Sequence, residues 1–329
     1  MRRGCRARPK AQGSGPCGAG LRGFESHPLH NFYKKHCYKN MKINLLFSDS
    51  MGVRSMATLV EAEEKIFIDA SAALGPYRYG LPPHPLEIEA LENAKNKIAE
   101  LAEDTPIHII THYHYDHHDP NRLIPIELYK GKEVYIKHPT EKINISQRIR
   151  ASRFLKMIRQ YARDIKVADN NVVVKGGTVI KFSEPVPHGV NDKLGYVIEV
   201  SLRSGEGSLV YTSDVEGPVL ENQLRFIVNE KPELAIIDGP LTYMLGYRFS
   251  YDDLNKAIRN LKKIVSSGVK TIILDHHLVR DPDYVERISE VLDYARTFKV
   301  KVLTAAEYMG KPVNVLEVKR KELYGTEQK

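Results

Sequence analysis

The chain has 329 residues, 42% of them hydrophobic and 27% charged, the proportions of a water-soluble globular protein that can bury a large core. No apolar run nears the roughly 18 residues that span a bilayer, and the basic N-terminus lacks the apolar stretch of a signal peptide, so a soluble, cytoplasmic protein is expected. The formal charge of +8 is no general nucleic-acid signal: residues 1–40 hold nine of the 49 basic residues and one of the 41 acidic ones, and the remainder is balanced.

All three cysteines, Cys5, Cys17 and Cys37, also lie in residues 1–40, which leaves no disulfide or thiolate ligand beyond them. This Gly-rich, basic stretch has no periodicity and reads as a disordered or spurious extension. Its "GFES" back-translates to a sequence resembling the T-arm of a transfer-RNA gene. The expectation is therefore read-through of a neighbouring gene, with the true start at Met41 and a single domain over 41–329.

From Met41 the pattern opens with strand-like "KINLLFSDS", "ATLVEA" and "KIFIDAS". "PLEIEALENAKNKIAELAED" carries apolar residues at helical spacing, and strand "IHIIT" follows. "EVYIK" is another strand, and residues 141–166 read as one long helix. A strand-rich block comes next ("NVVVK", "TVIKF", "YVIEVSL", "SLVYTSD"), then helical "GPVLENQLRFIVNEK", strand "LAIIDG", helix 251–266, strand "KTIILD", helix 283–297 and strand "KVKVLTA". Strands followed by strand–helix alternation in both halves predict two sheets packed face to face with helices outside, a four-layered αββα sandwich of the α/β class. Asp69, His112, Asp214 and His276 each end an apolar run, and loops at strand ends are where such proteins build sites.

The densest polar cluster is "THYHYDHHDP", residues 111–120, with four histidines and two aspartates directly behind a core strand. In an extended segment residues i and i+2 point the same way, so His112 and His114 can face one point. If the chain then turns, Asp116 and His117 can reach a second point nearby. Imidazoles and carboxylates suit zinc and its neighbours, and a cation would offset the cost of crowding them beside a core.

His112-Tyr-His114-Tyr-Asp116-His117 resembles the signature of the metallo-β-lactamase superfamily, and further pieces follow in that family's order. "IFIDAS" with Asp69, "PVPHG" with His188, "YTSDVEG" with Asp214 and "IILDHH" with His276 match its other motifs. The likeness spans about residues 41–310 and is nearest to an uncharacterised archaeal branch of predicted metal-dependent hydrolases. It implies two divalent ions, zinc first, with manganese or iron as alternatives. One ion would take His112, His114 and His188, and the other Asp116, His117 and His276, with Asp214 bridging and Asp69 orienting a ligand from behind. His277 is the alternative to His276, since strand alternation lets one of them face the site. Asp238, ending "LAIID", is either a further orienting group or a cap. His118, larger than the residue common at that point of the family signature, is either exposed or narrows the entrance.

The implied chemistry is hydrolysis by metal-bound hydroxide, with Asp116 orienting it and taking its proton. Small esters (a phosphodiester, thioester or lactone) are the expected substrates. Asp214 and His276 are 62 positions apart, which leaves no room for the large inserted domain of the family's nucleases. For an anionic substrate, a basic arc of about 80° on the 145–166 helix, with Arg148, Lys156, Arg159, Arg163 and Lys166, is a candidate rim, as is Arg54 in the turn after the first strand. Two other readings keep the fold: a di-iron redox enzyme, and a non-catalytic nucleic-acid-binding or scaffold protein. No membrane partner is expected.

Overall fold

The computed structural model describes residues 41–327 apart from 123 and 206, so the expectation for residues 1–40 lies outside the described residues. Six strands form the first sheet in chain order: β1 (Lys42–Leu45), β2 (Thr58–Glu61), β3 (Lys65–Ile68), β4 (Ile107–Ile110), β5 (Glu133–Ile136) and β6 (Asp164–Val167). The first three pair antiparallel, and β3 to β6 run parallel. After β7 (Val172–Lys175) and β8 (Thr178–Phe182) comes a small hairpin, β9 (Val186–Pro187) with β10 (Tyr196–Val197). Then follow β11 (Val200–Ser204), β12 (Gly207–Tyr211), β13 (Leu234–Asp238), β14 (Thr271–Asp275) and β15 (Lys301–Leu303). The second sheet has the order β15-β14-β13-β12-β11-β8-β7, parallel from β12 to β15 and antiparallel on the other side.

Successive side chains on a strand point to opposite faces, and the two cores follow that parity. Ile66 and Ile68 of β3 share one core with Leu209 and Tyr211 of β12, Ile236 of β13 and Ile273 of β14, which is the seam between the sheets. Phe67 of β3 turns the other way, onto Leu91, Ala94 and Ile98 of α1 (Pro85–Glu103). Val134 and Ile136 of β5 pack on Ala151, Phe154 and Ile158 of α2 (Ile145–Ile158). On the far side Ile237 and Ile272 meet α3 (Glu221–Glu230), α4 (Tyr251–Ser266) and α6 (Ser289–Thr297). The layers are thus helix, sheet, sheet, helix, the expected αββα sandwich.

Two expected helices are shorter than their sequence patterns. The 141–166 helix ends at Ile158, and residues 164–167 are β6, hydrogen-bonded to β5 at the edge of the sheet. Pairing with a neighbouring edge outweighs a weak helical pattern there, so Arg163 and Lys166 leave the predicted basic arc. The 283–297 helix is broken into α5 (Tyr284–Arg287) and α6 at Ile288, whose φ of −108° and ψ of 14° are not helical while its side chain is buried. Beyond β15 lie two elements with no sequence expectation, α7 (Ala305–Tyr308) and α8 (Arg320–Glu327).

Candidate metal centre

The strand ends named in the sequence meet at one edge of the sandwich. Three of them leave their strands through left-handed backbone: Asp69 after β3 (φ 48°), Ser213 after β12 (φ 57°) and His276 after β14 (φ 58°). Non-glycine residues seldom adopt this conformation, and it costs about 1–3 kcal/mol where it does occur. Here it swings each side chain off the sheet and into the site.

Two groups of ligand-type atoms result. His112, His114, His188 and Asp214 form one, and Asp116, His117, Asp214 and His276 the other. Asp214 belongs to both, through different oxygens. Its Oδ2 lies 3.5 Å from His112 Nε2 and 3.2 Å from His188 Nε2, while Oδ1 lies 2.9 Å from His117 Nε2 and 3.4 Å from His276 Nε2. His114 presents Nδ1, 3.2 Å from His188 Nε2, and Asp116 Oδ2 is 3.7 Å from His276 Nε2.

Those spacings suit donor atoms around a shared cation. Ligands at about 2.0–2.1 Å in a tetrahedral zinc site stand roughly 3.3 Å from one another. The donors also lack alternatives: His112 Nε2, His117 Nε2 and Asp214 Oδ1 are buried with no hydrogen-bond partner. His117 and Asp214 are close enough to bond but not aligned to do so, as two ligands of one ion would be. Orphaned buried polar atoms are costly, and a divalent ion would satisfy them. The residues fit such an ion.

Groups behind the ligands fix their rings. Asp69 accepts from His117 Nδ1 (2.8 Å), the Thr111 amide (2.8 Å), the Thr111 hydroxyl (2.6 Å) and the Tyr211 hydroxyl (2.7 Å). Asp49 accepts from His276 Nδ1 at 2.7 Å and from Arg280 Nε at 2.6 Å. Ser213 Oγ stands 3.2 Å from His112 Nδ1. In each case the outer nitrogen is occupied and Nε2 is aimed inward.

The electrostatics follow from burial against this mixture of signs. Burial and the neighbouring His117 hold His112 far below the usual imidazole range; burial and His188 bring His114 down to about 3. Both are therefore neutral, as ligands must be. Burial opposes a charged His117, yet Asp214 and Asp69 on either side push it well up. Burial likewise opposes a charged His276, but Asp214 and Asp49 raise it to about 10. Burial would raise Asp214, but His117, His276 and His112 hold it well below the carboxylate range. The carboxylates thus favour positive charge at their centre, which a divalent ion would supply at the same points.

Both His276 and His277 reach the site. Strand alternation does not apply, because β14 ends at Asp275 and His276 already lies in a left-handed turn. His277 donates Nδ1 to both oxygens of Asp238 at 3.0 Å, and these two with Asp214 make a third close group. Asp238 also accepts from the amides of Glu216 (2.7 Å) and His277 (3.1 Å), so it ties two site loops together and caps no helix. His118 is neither exposed nor at the entrance. It is buried, donates Nδ1 to the His114 carbonyl at 2.9 Å, and packs edge-on to Phe154.

The centre opens into a cleft of about 490 Å³ whose walls include His114, Asp116, His188, Asp214 and His277. Of the basic residues considered from the sequence, Arg54 lines this cleft; Arg148, Lys156 and Arg159 do not. Arg148 is exposed and donates to the Thr140 carbonyl at 3.1 Å; Arg159, the C-cap just after α2, lines a separate groove. They lie on the outer side of a helix whose inner side carries Phe154 and Ile158, whereas Arg150, two positions on from Arg148, reaches the cleft.

Sequence reasoning also missed a supporting network. Arg54 donates to Glu317 through Nε (2.7 Å) and Nη2 (2.8 Å), and Arg78 donates to Glu317 at 3.2 Å. Arg78 also donates to the Arg280 carbonyl at 2.7 Å, and Arg280 holds Asp49. Buried Arg320 donates to Glu87 at 2.6 and 2.8 Å. The C-terminal segment thereby pins the loop after β3 to the loop that supports His276. The available signal for Asp49 was its place in "SDSMG", a polar turn directly after the first strand.

No family model matches the chain. Among curated proteins it is 52% identical over 285 residues to the "UPF0282 protein" of Korarchaeum cryptofilum, covering 86% of this chain and 94% of that one. The chain belongs to the UPF0282 family. Another UPF0282 member, from Sulfurisphaera tokodaii, is 46% identical over 291 residues, covering 88% of this chain and 94% of its own. Of this archaeal family's member, the αββα layers and the ligand-bearing strand ends in their order make a metallo-β-lactamase-fold protein. Solved structures similar to it are remote. The metallo-β-lactamase fold protein YhfI from Bacillus subtilis has 14% identity and a TM-score of 0.46 over 80% of this chain and 95% of its own. Unliganded yeast PDE1 has 12% identity and a TM-score of 0.49 over 80% and 97%. Neither likeness is near enough to bring a substrate with it. No helix among the described residues is long and apolar enough to cross a membrane.

Proposed function

We propose that this UPF0282 protein is a dinuclear metal-dependent hydrolase of a small ester-type substrate, with phosphodiester, thioester and lactone as the classes to examine. The observation that carries the reading is Asp214, whose two oxygens face different ligand clusters. His112, His114 and His188 would hold one ion and Asp116, His117 and His276 the other, with Asp214 between them. Zinc suits these imidazole and carboxylate donors; manganese and iron are the alternatives. Such a pair of ions, when bound, polarises a substrate oxygen and brings the pKa of a water down toward about 7.

The chain's own groups do the rest. Burial and Asp214 would raise the Asp116 carboxyl, but His117, His276 and His114 together hold it at about 2, so Asp116 is ionised at neutral pH. It lines the cleft, where it can orient the attacking water and accept its proton in passing. Asp69 and Asp49 keep His117 and His276 fixed while charge moves at the centre.

Elemental analysis of the full chain and of Asp214→Ala tests this. Two equivalents of metal, falling in the variant, are expected, followed by turnover of one of the three ester classes. Iron with dioxygen consumption would replace hydrolysis with redox chemistry. No metal after purification without chelator, and none after reconstitution, would overturn the reading in favour of a binding protein.

A further inference from the structure

Four arginines line the cleft, Arg54, Arg150, Arg248 and Arg280, and they divide into two kinds. Arg54 and Arg280 are each ion-paired to an internal carboxylate, Glu317 at 2.7 Å and Asp49 at 2.6 Å. They hold the protein's own loops, and those donors are already engaged. Arg150 has no carboxylate partner among the described residues. It donates to the Tyr113 carbonyl at 3.3 Å, and its guanidinium lies over the Tyr115 ring, 4.5 Å from the centroid. Both contacts fix its position and neither cancels its charge. Arg248, on the loop between β13 and α4, makes no side-chain hydrogen bond or ion pair among the described residues. Glu216 feels its field, but the two are not within ion-pair distance.

Arg248 also lines an adjoining pocket of about 220 Å³, together with His188, Glu216, Asn191 and Lys193. Lys193 too has no acidic partner among the described residues, so the side of the cleft next to His188 gains a further cation. Of the three cleft acids, Asp116 and Asp214 lie in the metal clusters, and Glu216 is buried beside His188, where burial pushes its carboxyl up. Arg150 from α2 and Arg248 from the opposite half of the fold thus present positive charge to the cleft from two directions.

We propose that the substrate carries an oxyanion, held by Arg150 and Arg248 beside the metal centre. As a statement about substrate this rests on the hydrolase reading; as a statement about an anion site it stands alone. Guanidinium groups bind phosphate or carboxylate oxygens by paired charged hydrogen bonds, and preplaced, unpaired ones lose little internal bonding in doing so. The shared chemistry is the oxyanion, and separate probes distinguish its two sources.

The test is calorimetric binding of inorganic phosphate and, separately, of acetate to the full chain. Wild type, Arg150→Gln, Arg248→Gln and the off-cleft control Arg148→Gln are compared, with metal content read in the same samples. The preferred anion should bind about tenfold more weakly to each cleft variant, as expected for losing a charged hydrogen bond, and within twofold of wild type to the control. Preference for phosphate points to a phosphoryl group, and preference for acetate to a carboxylate. Equal affinity in wild type and both cleft variants overturns the proposal, as does an equal loss in Arg148→Gln or no binding of either anion by wild type. Arginine-dependent binding in protein without metal would keep the anion site while removing the hydrolase reading. Two metals with arginine-independent binding would do the reverse.

Discussion

Nδ1 of His276 donates to the carboxylate of Asp49 at 2.7 Å, across 227 residues of chain. Asp49 is in turn held by Arg280, so a residue just after the first strand sets the ring of a ligand-type histidine at the end of β14. Groups that orient metal-binding imidazoles typically contribute about 10–100-fold to metal affinity. Asp49→Asn should therefore weaken one of the two proposed ions, leaving near one equivalent at limiting metal, with a matching fall in activity. Elemental analysis after dialysis reads it, and full retention of both ions would refute the role.

Asp69 performs the same service for His117 but also gathers Thr111 and Tyr211. Burial, with Asp69 beside it, pushes the Tyr211 phenol far up, so it stays a donor. Removing this acceptor leaves several buried donors unsatisfied, at about 1–3 kcal/mol each. Asp69→Ala should lower thermal stability as well as metal content, more than Asp49→Asn does. A melting curve on chelated protein separates the two effects: the Asp69 deficit should persist without metal.

Chelation itself should destabilise the wild type. His112, His117 and Asp214 bury donor atoms that no protein group satisfies, so an ion bound to the folded state stabilises it by about 4 kcal/mol at a thousandfold excess over its dissociation constant. The melting temperature should drop on adding chelator and recover on adding back metal. Identical melting with and without chelator would contradict this.

Acid should loosen the C-terminal latch. Burial favours a neutral Glu317, but the hydrogen-bonded Arg54, with Arg280 and Arg78, holds its carboxyl down at about 2 against an ordinary 4.5. The unfolded chain takes up the proton first as pH falls. The stabilisation is therefore complete above about 4.5 and is lost progressively toward about 2, with an upper size on the order of 3 kcal/mol. Glu317→Gln should be less stable at pH 7 and show a flatter dependence across that window. Urea melts at several pH values measure it, and parallel curves for variant and wild type would exclude the mechanism.

His118 should matter for folding and not for metal. Its ring is buried against Phe154, and its bond to the His114 carbonyl closes the ligand loop. His118→Ala should cost roughly 1–3 kcal/mol in denaturant unfolding while the metal-loaded protein keeps both equivalents. A loss of metal without a loss of stability would invert this assignment.

The sequence by itself determined the layers and the cast of the centre. Continuous apolar runs such as Ile66-Phe67-Ile68 dictate a strand buried on both faces, and "HYHYDH" packs four ligand-type residues into one turn, so both signals are local. Tertiary structure alone decided what lies between distant segments. Asp49 meets His276, and Glu317 meets Arg54, only after the sheets have packed, and no periodicity records such pairings. Residues 164–167 became β6 because the edge of β5 was open to them, which broke the predicted basic arc. The choice of Arg150 over Arg148 for the cleft depends on how α2 is rotated by Phe154 and Ile158 against the sheet. Left-handed turns at Asp69, Ser213 and His276 aim the site, and they persist because the packed surroundings, not those residues' own preferences, hold them there.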